Sequence, residues 1–220
     1  MIITLDGPAG AGKSTAARAL AARLGWCYMD TGAMYRAVTL VALERAIPLD
    51  DAPGLATLAE SLAITFRDGR VLVGERDVSV EIRTPAVTAA TRPVADAPPV
   101  REVMKRLQRR IAEGIDVVTE GRDQGSVVFP HAELKVFLTA SPEERARRRH
   151  REESARGGGT PLEEILEAQN RRDDGDRTRS VGAMKAADDA VLVETDGLSH
   201  DEVVERLVQL VEERRRPLTA

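Results

Sequence analysis

The stretch "GPAGAGKS", Gly7 through Ser14, meets the pattern Gly-x-x-x-x-Gly-Lys-Ser in full. Glycines at such spacing let backbone N–H groups turn inward around phosphate oxygens. Lys13 is placed to reach the β- and γ-phosphates, and the Ser14 hydroxyl to ligate Mg²⁺ or a water on it. Gly7, Pro8, Ala9, Gly10, Ala11, Gly12, Lys13, Ser14 and Thr15 are therefore the expected nucleotide phosphate-binding residues. One helix later comes "DTGAMYR", residues 30–36. It carries a carboxylate, a hydroxyl, a glycine and an arginine. A second set of phosphate-type ligands so close to the first is what a reaction between two phosphate-bearing molecules needs. A guanidinium grips phosphate bidentately, and such catalysis rests on positioning and charge. Thr31 offers a hydroxyl, Gly32 permits close approach, and Arg36 can hold an acceptor phosphate.

Further arginines obey the same logic. "PPVRE" puts Arg101 near a helix start, and "EGRDQG" puts Arg122 and Asp123 just beyond a strand. Open α/β sheets bind ligands at that end of their strands. In "RRDDGDRTR", Arg172, Asp176 and Arg179 share one face if the segment is helical. Each has a plainer reading as a solvated or salt-bridged surface, and the combination with the phosphate loop gives them weight. A phosphate loop by itself leaves the reaction open. No Asn-Lys-x-Asp sequence is present to read guanine, and no Leu-Ser-Gly-Gly-Gln sequence marks a transporter ATPase.

These residues need a frame. "MIITLD" is a buried strand running into the loop, "KSTAARALAARL" (13–24) a helix ended by Gly25, and "WCYMD" a second strand. Residues 33–46 read as a helix stopped by Pro48. Strand, loop, helix, strand opens a parallel α/β fold. The alternating run around Asp68-Gly69 predicts an antiparallel hairpin, and thus a small inserted subdomain over residues 63–83. Helices are expected at 84–95, 99–113, 142–155 and 161–174, the third broken by "RGGGTP". "DVVTEG", "LKVFLTA" and "AVLVET" are strands, and a last amphipathic helix opens with a Ser199–Glu202 capping box.

The chain of 220 residues is long enough for one sizeable core or a core with small insertions. Its 42% hydrophobic and 31% charged content is that of a globular protein, and a net charge of −4 argues against a nucleic-acid-coating surface. The single Cys27 has no internal disulfide partner and reads as a small buried hydrophobe. No apolar run is long enough for a membrane span, and the start runs directly into a strand, so a cytoplasmic protein with no membrane partner is expected. His131, His150 and His200 have no ligand-type spacing, so no structural metal is expected.

At this point the chain resembles bacterial cytidylate kinases, within the nucleoside monophosphate kinase group. The resemblance lies in "ITLDGPAGAGKSTAARALAARLG", "YMDTGAMYRAV", "RDVSVEIRTPAV", "VREVMKRLQR", "EGRDQGSVVFPHAELKVFLTAS" and "RRDDGDRTR". It implies an α/β fold of P-loop NTPase type, a parallel sheet flanked by helices with an inserted antiparallel-sheet monophosphate-binding domain and a short lid. The implied division is 1–30, 96–145 and 180–220 for the core, 31–95 for the monophosphate domain and 146–179 for the lid and its helices. The implied activity is Mg²⁺-dependent transfer of a phosphoryl group from ATP to CMP or dCMP, by a monomer. On the same resemblance, Arg36 and Arg122 hold the CMP phosphate with Thr31 in support, and Arg101 and Asp123 face the cytosine. Asp176 is expected at the ribose with Arg172 beside it, and Arg179 near the transferred group. Lys13, Arg122 and Arg179 form the catalytic set. In the basic run 145–151, Arg145 and Arg149 lie four apart and would close on ATP as lid residues; a solvated face or a nucleic-acid patch are the other readings. The chain departs from the family where Arg92, after Thr91, stands at a usual serine, and where Glu120 stands at a usual aspartate.

Overall fold

A computed structural model describes residues 1–67, 69–155 and 157–216. In chain order its first half runs β1 (Ile2–Asp6), α1 (Lys13–Leu24), β2 (Cys27–Asp30), α2 (Thr31–Glu44), α3 (Ala52–Ser61), β3 (Ile64–Arg67), β4 (Arg70–Val73), β5 (Arg76–Asp77), α4 (Pro85–Asp96) and α5 (Pro98–Ile111). The second half runs β6 (Val117–Glu120), β7 (Leu134–Thr139), α6 (Pro142–Ser154), α7 (Leu162–Thr178), β8 (Val191–Glu194) and α8 (His200–Arg215). The chain forms two compact units, 1–26 with 118–220 and 27–117.

The first unit is built on adjacent strands in the order β6-β1-β7-β8. β1 pairs with β7 in parallel, Ile3 opposite Leu134 through Asp6 opposite Phe137, and β7 pairs with β8 in parallel from Val136 opposite Val191. The central strands are apolar on both faces because both are covered: Ile3, Leu5, Val118 and Leu138 are fully buried. Helix α1 buries alanines (Ala16, Ala17, Ala21) around Leu20, and α8 buries Val203, Leu207 and Val211 at helical spacing. The Ser199–Glu202 capping box is formed at the start of α8.

The second unit carries a separate three-stranded sheet, β3-β4-β5. Its first two strands pair antiparallel from Ile64 opposite Val73 to Arg67 opposite Arg70, as the alternating pattern requires. The expected turn residue Asp68 lies outside the described residues, as does Arg156 of "RGGGTP".

Some boundaries moved for local reasons. Helix α2 starts at Thr31 rather than residue 33, because the Asp30 carboxylate accepts from the Ala33 N–H at 2.7 Å and caps it. Helix α3 was not anticipated. Asp51 caps it by accepting from Gly54 N at 3.0 Å, with Pro53 in the first turn. A Cβ at Gly54 would lie 2.1 Å from an Asp51 oxygen, so glycine there makes room for the cap. Helix α7 runs on to Thr178, past the expected end at residue 174, with Asp173 and Asp176 buried along it.

Helix α2 ends on Ala46, whose φ of 51° lies in the left-handed region. That conformation costs a non-glycine residue roughly 1–2 kcal/mol. The exposed Ala46→Gly change should therefore stabilise the protein by about 0.5–1 kcal/mol after the added unfolded-chain entropy is subtracted. Thermal unfolding should show a midpoint raised by roughly 1–4 °C; a lowered midpoint would contradict this account of the helix end.

Candidate active site

In the first unit, the loop between β1 and α1 is shaped by glycines at positive φ: Gly7 (139°), Gly10 (79°) and Gly12 (88°). Gly7 is also sterically compelled, since a Cβ there would sit 1.9 Å from the Leu138 carbonyl oxygen. Lys13 and Ser14 open α1, so the helix N-terminus points its free N–H groups into the loop. The Lys13 Nζ donates to the Pro8 carbonyl at 2.7 Å, and the Ser14 hydroxyl donates to Glu120 Oε1 at 2.8 Å.

Beyond β6 the chain makes a single π turn, Gln124–Val128. Asp6 pins its start: one carboxylate oxygen accepts from Gln124 N at 2.8 Å and the other from Gly125 N at 2.7 Å. This clamp fixes Arg122 and Asp123 immediately before the turn, and Asp123 is buried. Arg122 Nε donates to Asp176 Oδ2 at 2.8 Å, and an Arg179 nitrogen donates to the other Asp176 oxygen at 2.6 Å. Burial pushes the Asp176 carboxyl up, but Arg122, Arg179 and Arg172 together hold it below the usual carboxylate range. Arg122, Asp176, Arg179 and Arg172 thus form one cluster in this unit, and Arg122 and Arg172 also act on Lys13.

Burial lowers Lys13 from 10.5 to about 7; repulsion from Arg122 and Arg172 adds to the drop, against Glu120 and Asp6. Burial likewise raises Asp6 to about 7, with Asp123 adding to the rise and the two backbone N–H bonds and Lys13 opposing it. Four cationic side chains, Lys13, Arg122, Arg172 and Arg179, thus stand among four carboxylates, Asp6, Glu120, Asp123 and Asp176, beside the phosphate loop.

The second unit holds the other half of the expected ligands. Thr31 and Asp30 are buried, and Arg36 donates to Asp30 at 3.3 Å. The buried Arg36 Nε has no protein hydrogen-bond partner, leaving one donor of the guanidinium for something else. A Cβ at Gly32 would come 3.3 Å from both the Arg36 guanidinium and Asp30, which is why glycine follows Thr31. Arg83 also reaches Asp30, at 3.2 Å. Arg83 and Asp30 were not anticipated as site residues, although "EIRT" and "DTGAMYR" contain them. The signal, had it been used, was a buried-type acid at a helix cap with two arginines left to satisfy it. Arg101 is buried, donates to the Ala95 carbonyl at 3.0 Å and lies over the Tyr35 ring at 5.7 Å.

The basic run divides. Arg145 is fully buried and bonded to Asp173, Ala9 and Ala140. Arg149 is half-exposed and pairs with Glu153 at 2.7 Å. Between them, Arg148 donates to Thr195 and Glu144. Arg92 is exposed and turned to Asp96, while the Thr91 hydroxyl donates back to the Val87 carbonyl.

Comparison with known proteins identifies the family. The family model described as cytidylate kinase matches residues 3–213. The chain belongs to the cytidylate kinase family. The cytidylate kinase of Rhodopirellula baltica is 54% identical over 213 residues, covering 97% of this chain and 93% of that protein. The cytidylate kinase of Carboxydothermus hydrogenoformans is 48% identical over 215 residues, covering 96% and 97%. Among solved structures, the TT1252 protein of Thermus thermophilus aligns with a TM-score of 0.53 at 21% identity, covering 99% of this chain and 98% of that one. That last likeness concerns the fold, a parallel sheet flanked by helices behind a phosphate loop.

The depressed Lys13 leads to a prediction with a fixed sign. At pH 8, above its folded value of about 7, Lys13 is mostly neutral in the nucleotide-free protein. A bound polyphosphate favours the ammonium and raises that value, and it pushes Asp6 in the same direction, so binding takes up protons. Calorimetric titration with metal-free ATP at pH 8, in buffers of different ionisation heat, should show uptake of about one proton. The uptake should fade below pH 6, where both groups are already protonated. A binding heat independent of buffer at pH 8 would refute the assignment.

Proposed function

We propose that this chain transfers the terminal phosphoryl group of ATP to CMP and dCMP. The observation that carries the reading is the match to cytidylate kinases over residues 3–213, with an intact phosphate loop and a cluster of arginines and carboxylates beside it.

Gly7 through Thr15 cradle the ATP phosphates, and Lys13 neutralises charge on the oxygens nearest the transferred group. On the likeness to cytidylate kinases, Thr31, Arg36, Arg101, Arg122, Asp123, Arg172, Asp176 and Arg179 are the residues assigned to the acceptor. Arg36 and Arg122 grip its phosphate, and Asp176 takes ribose hydroxyls. Arg179 stands by the moving phosphoryl. Because the acceptor is already a phosphate anion, no protein base is required. The chain's task is to hold two anions together and exclude water, which would otherwise accept the phosphoryl. The segment 146–179, with the exposed Arg149, is the part we assign to a lid.

The donor set beside the phosphate loop suits Mg²⁺: a Ser14 hydroxyl hydrogen-bonded to the Glu120 carboxylate, both hard oxygens. When bound, the ion supplies charge neutralisation at the phosphate oxygens. Ser14 would hold it, directly or through a water. The chain is read as a cytoplasmic monomer; among its described residues no helix is long and apolar enough to cross a membrane.

Asp123 reads the base. Cytosine presents an amino donor where uracil presents a carbonyl, so a buried carboxylate favours the first. An unmatched buried contact costs on the order of 1–3 kcal/mol, so CMP should exceed UMP in kcat/KM by about 10- to 100-fold or more. ADP formation from ATP and Mg²⁺, followed with CMP, dCMP, UMP and AMP in turn, tests the whole reading. Strong turnover is expected with CMP and dCMP only. Asp123→Ala should collapse the preference over UMP while leaving KM for ATP nearly unchanged, and Arg36→Ala should raise KM for CMP. ADP release that ignores the acceptor would overturn the function.

A further inference from the structure

Arg145 is among the largest side chains in this protein to be fully buried, and the reaction as described does not use it. Its guanidinium has three anchors in the first unit. Nε donates to the Ala140 carbonyl at 3.0 Å, where β7 gives way to α6. One terminal nitrogen donates both to Asp173 Oδ2 on α7 at 2.5 Å and to the Ala9 carbonyl at 3.0 Å. Asp173 is itself 1% exposed. The fit is tight: a Cβ at Gly10 would come 3.1 Å from the Arg145 Cβ and 3.3 Å from the Gln169 amide oxygen.

The carbonyl that Arg145 holds belongs to the phosphate loop. A peptide unit is planar and the Ala9–Gly10 bond is trans, so the C=O of Ala9 and the N–H of Gly10 point in opposite directions. Pulling the carbonyl outward toward α6 and α7 aims the Gly10 N–H the other way, into the loop where phosphate binds. A buried pair is poor evidence for stability by itself, since apolar side chains can fill such a space as well. A pair whose third arm orients a ligand-binding peptide has a use that apolar side chains cannot replace.

We propose that Arg145 is a positioning residue for the ATP phosphate loop, held in place by Asp173, and that it sets the direction of the Gly10 N–H without touching either substrate. The basic run thus contributes to ATP binding from behind the loop through Arg145. The inference rests on the kinase reading above, because it assigns the loop to a reacting ATP.

The test compares Arg145→Lys, Asp173→Asn and the double variant with the unmodified protein. Lysine keeps the charge beside Asp173 but cannot span Ala140, Ala9 and Asp173 together. Each single variant should raise KM for ATP about tenfold or more and lower kcat, with KM for CMP within about twofold of the original. The double variant should be no worse than the poorer single one, because the two residues act as one unit. Unchanged KM for ATP in variants that merely melt earlier would reduce the pair to a structural brace and overturn the proposal. So would additive losses, or a loss confined to CMP.

If the substitutions prevent folding, hydrogen exchange on the unmodified chain decides. Amides 10–14 and 169–176 should exchange through a shared opening with one denaturant dependence, and separate openings would overturn the proposal. If the unmodified chain makes no CDP, the kinase reading fails first. ATP affinity by calorimetry then still reports whether Arg145→Lys weakens the loop.

Discussion

The first unit is organised around the cost of burying cations and holding them close together. Lys13 lies near Arg122 and Arg172, and repulsion adds to burial in stripping its proton at neutral pH. The protein meets this cost with carboxylates placed behind the cations. Asp176 is shared by Arg122 and Arg179, and Glu120 and Asp6 stand against Lys13. Those acids hold the basic groups in place. A polyphosphate entering such a site meets donors that are already oriented, so little reorganisation remains to be done during the reaction.

The same economy explains the hydrogen bonds to the backbone. Asp6 uses both oxygens on the N–H groups of Gln124 and Gly125, which fixes the turn carrying Arg122 and Asp123. Arg145 uses its fork on two carbonyls and Asp173. In the second unit, Asp30 caps α2 and receives Arg36 and Arg83 at once. In all three places a buried charge is satisfied by groups that must also be aimed, so stability and ligand geometry depend on the same bonds. Substitution at any of them is expected to disturb both.

Much of the frame was legible in the sequence because its signals are local. A short apolar run ending at a glycine-rich loop marked β1, and alternation around Gly69 marked the hairpin. The capping box of α8 is written in residues three apart. Helix α3 is hidden in the sequence because it is short and its start, Asp51 followed by Pro53 and Gly54, has the residue types of a turn. The end of α7 was set too early because "DDGD" looks unfavourable for a helix, while the burial of Asp173 and Asp176 sustains it.

The sequence by itself determined the phosphate loop, the parallel α/β plan and the supply of arginines, since glycine spacing, periodicity and residue type act over a few residues. Only the tertiary structure decided what each charge does. Arg145 and Arg149 are four apart on one helix, yet one is buried against the loop carbonyl and the other faces solvent beside Glu153. Arg83 joins Arg36 on a carboxylate 53 residues away from it. Which of many similar arginines meets which acid depends on how distant elements pack and on the cost of burying an unpaired charge, and neither is written in local spacing.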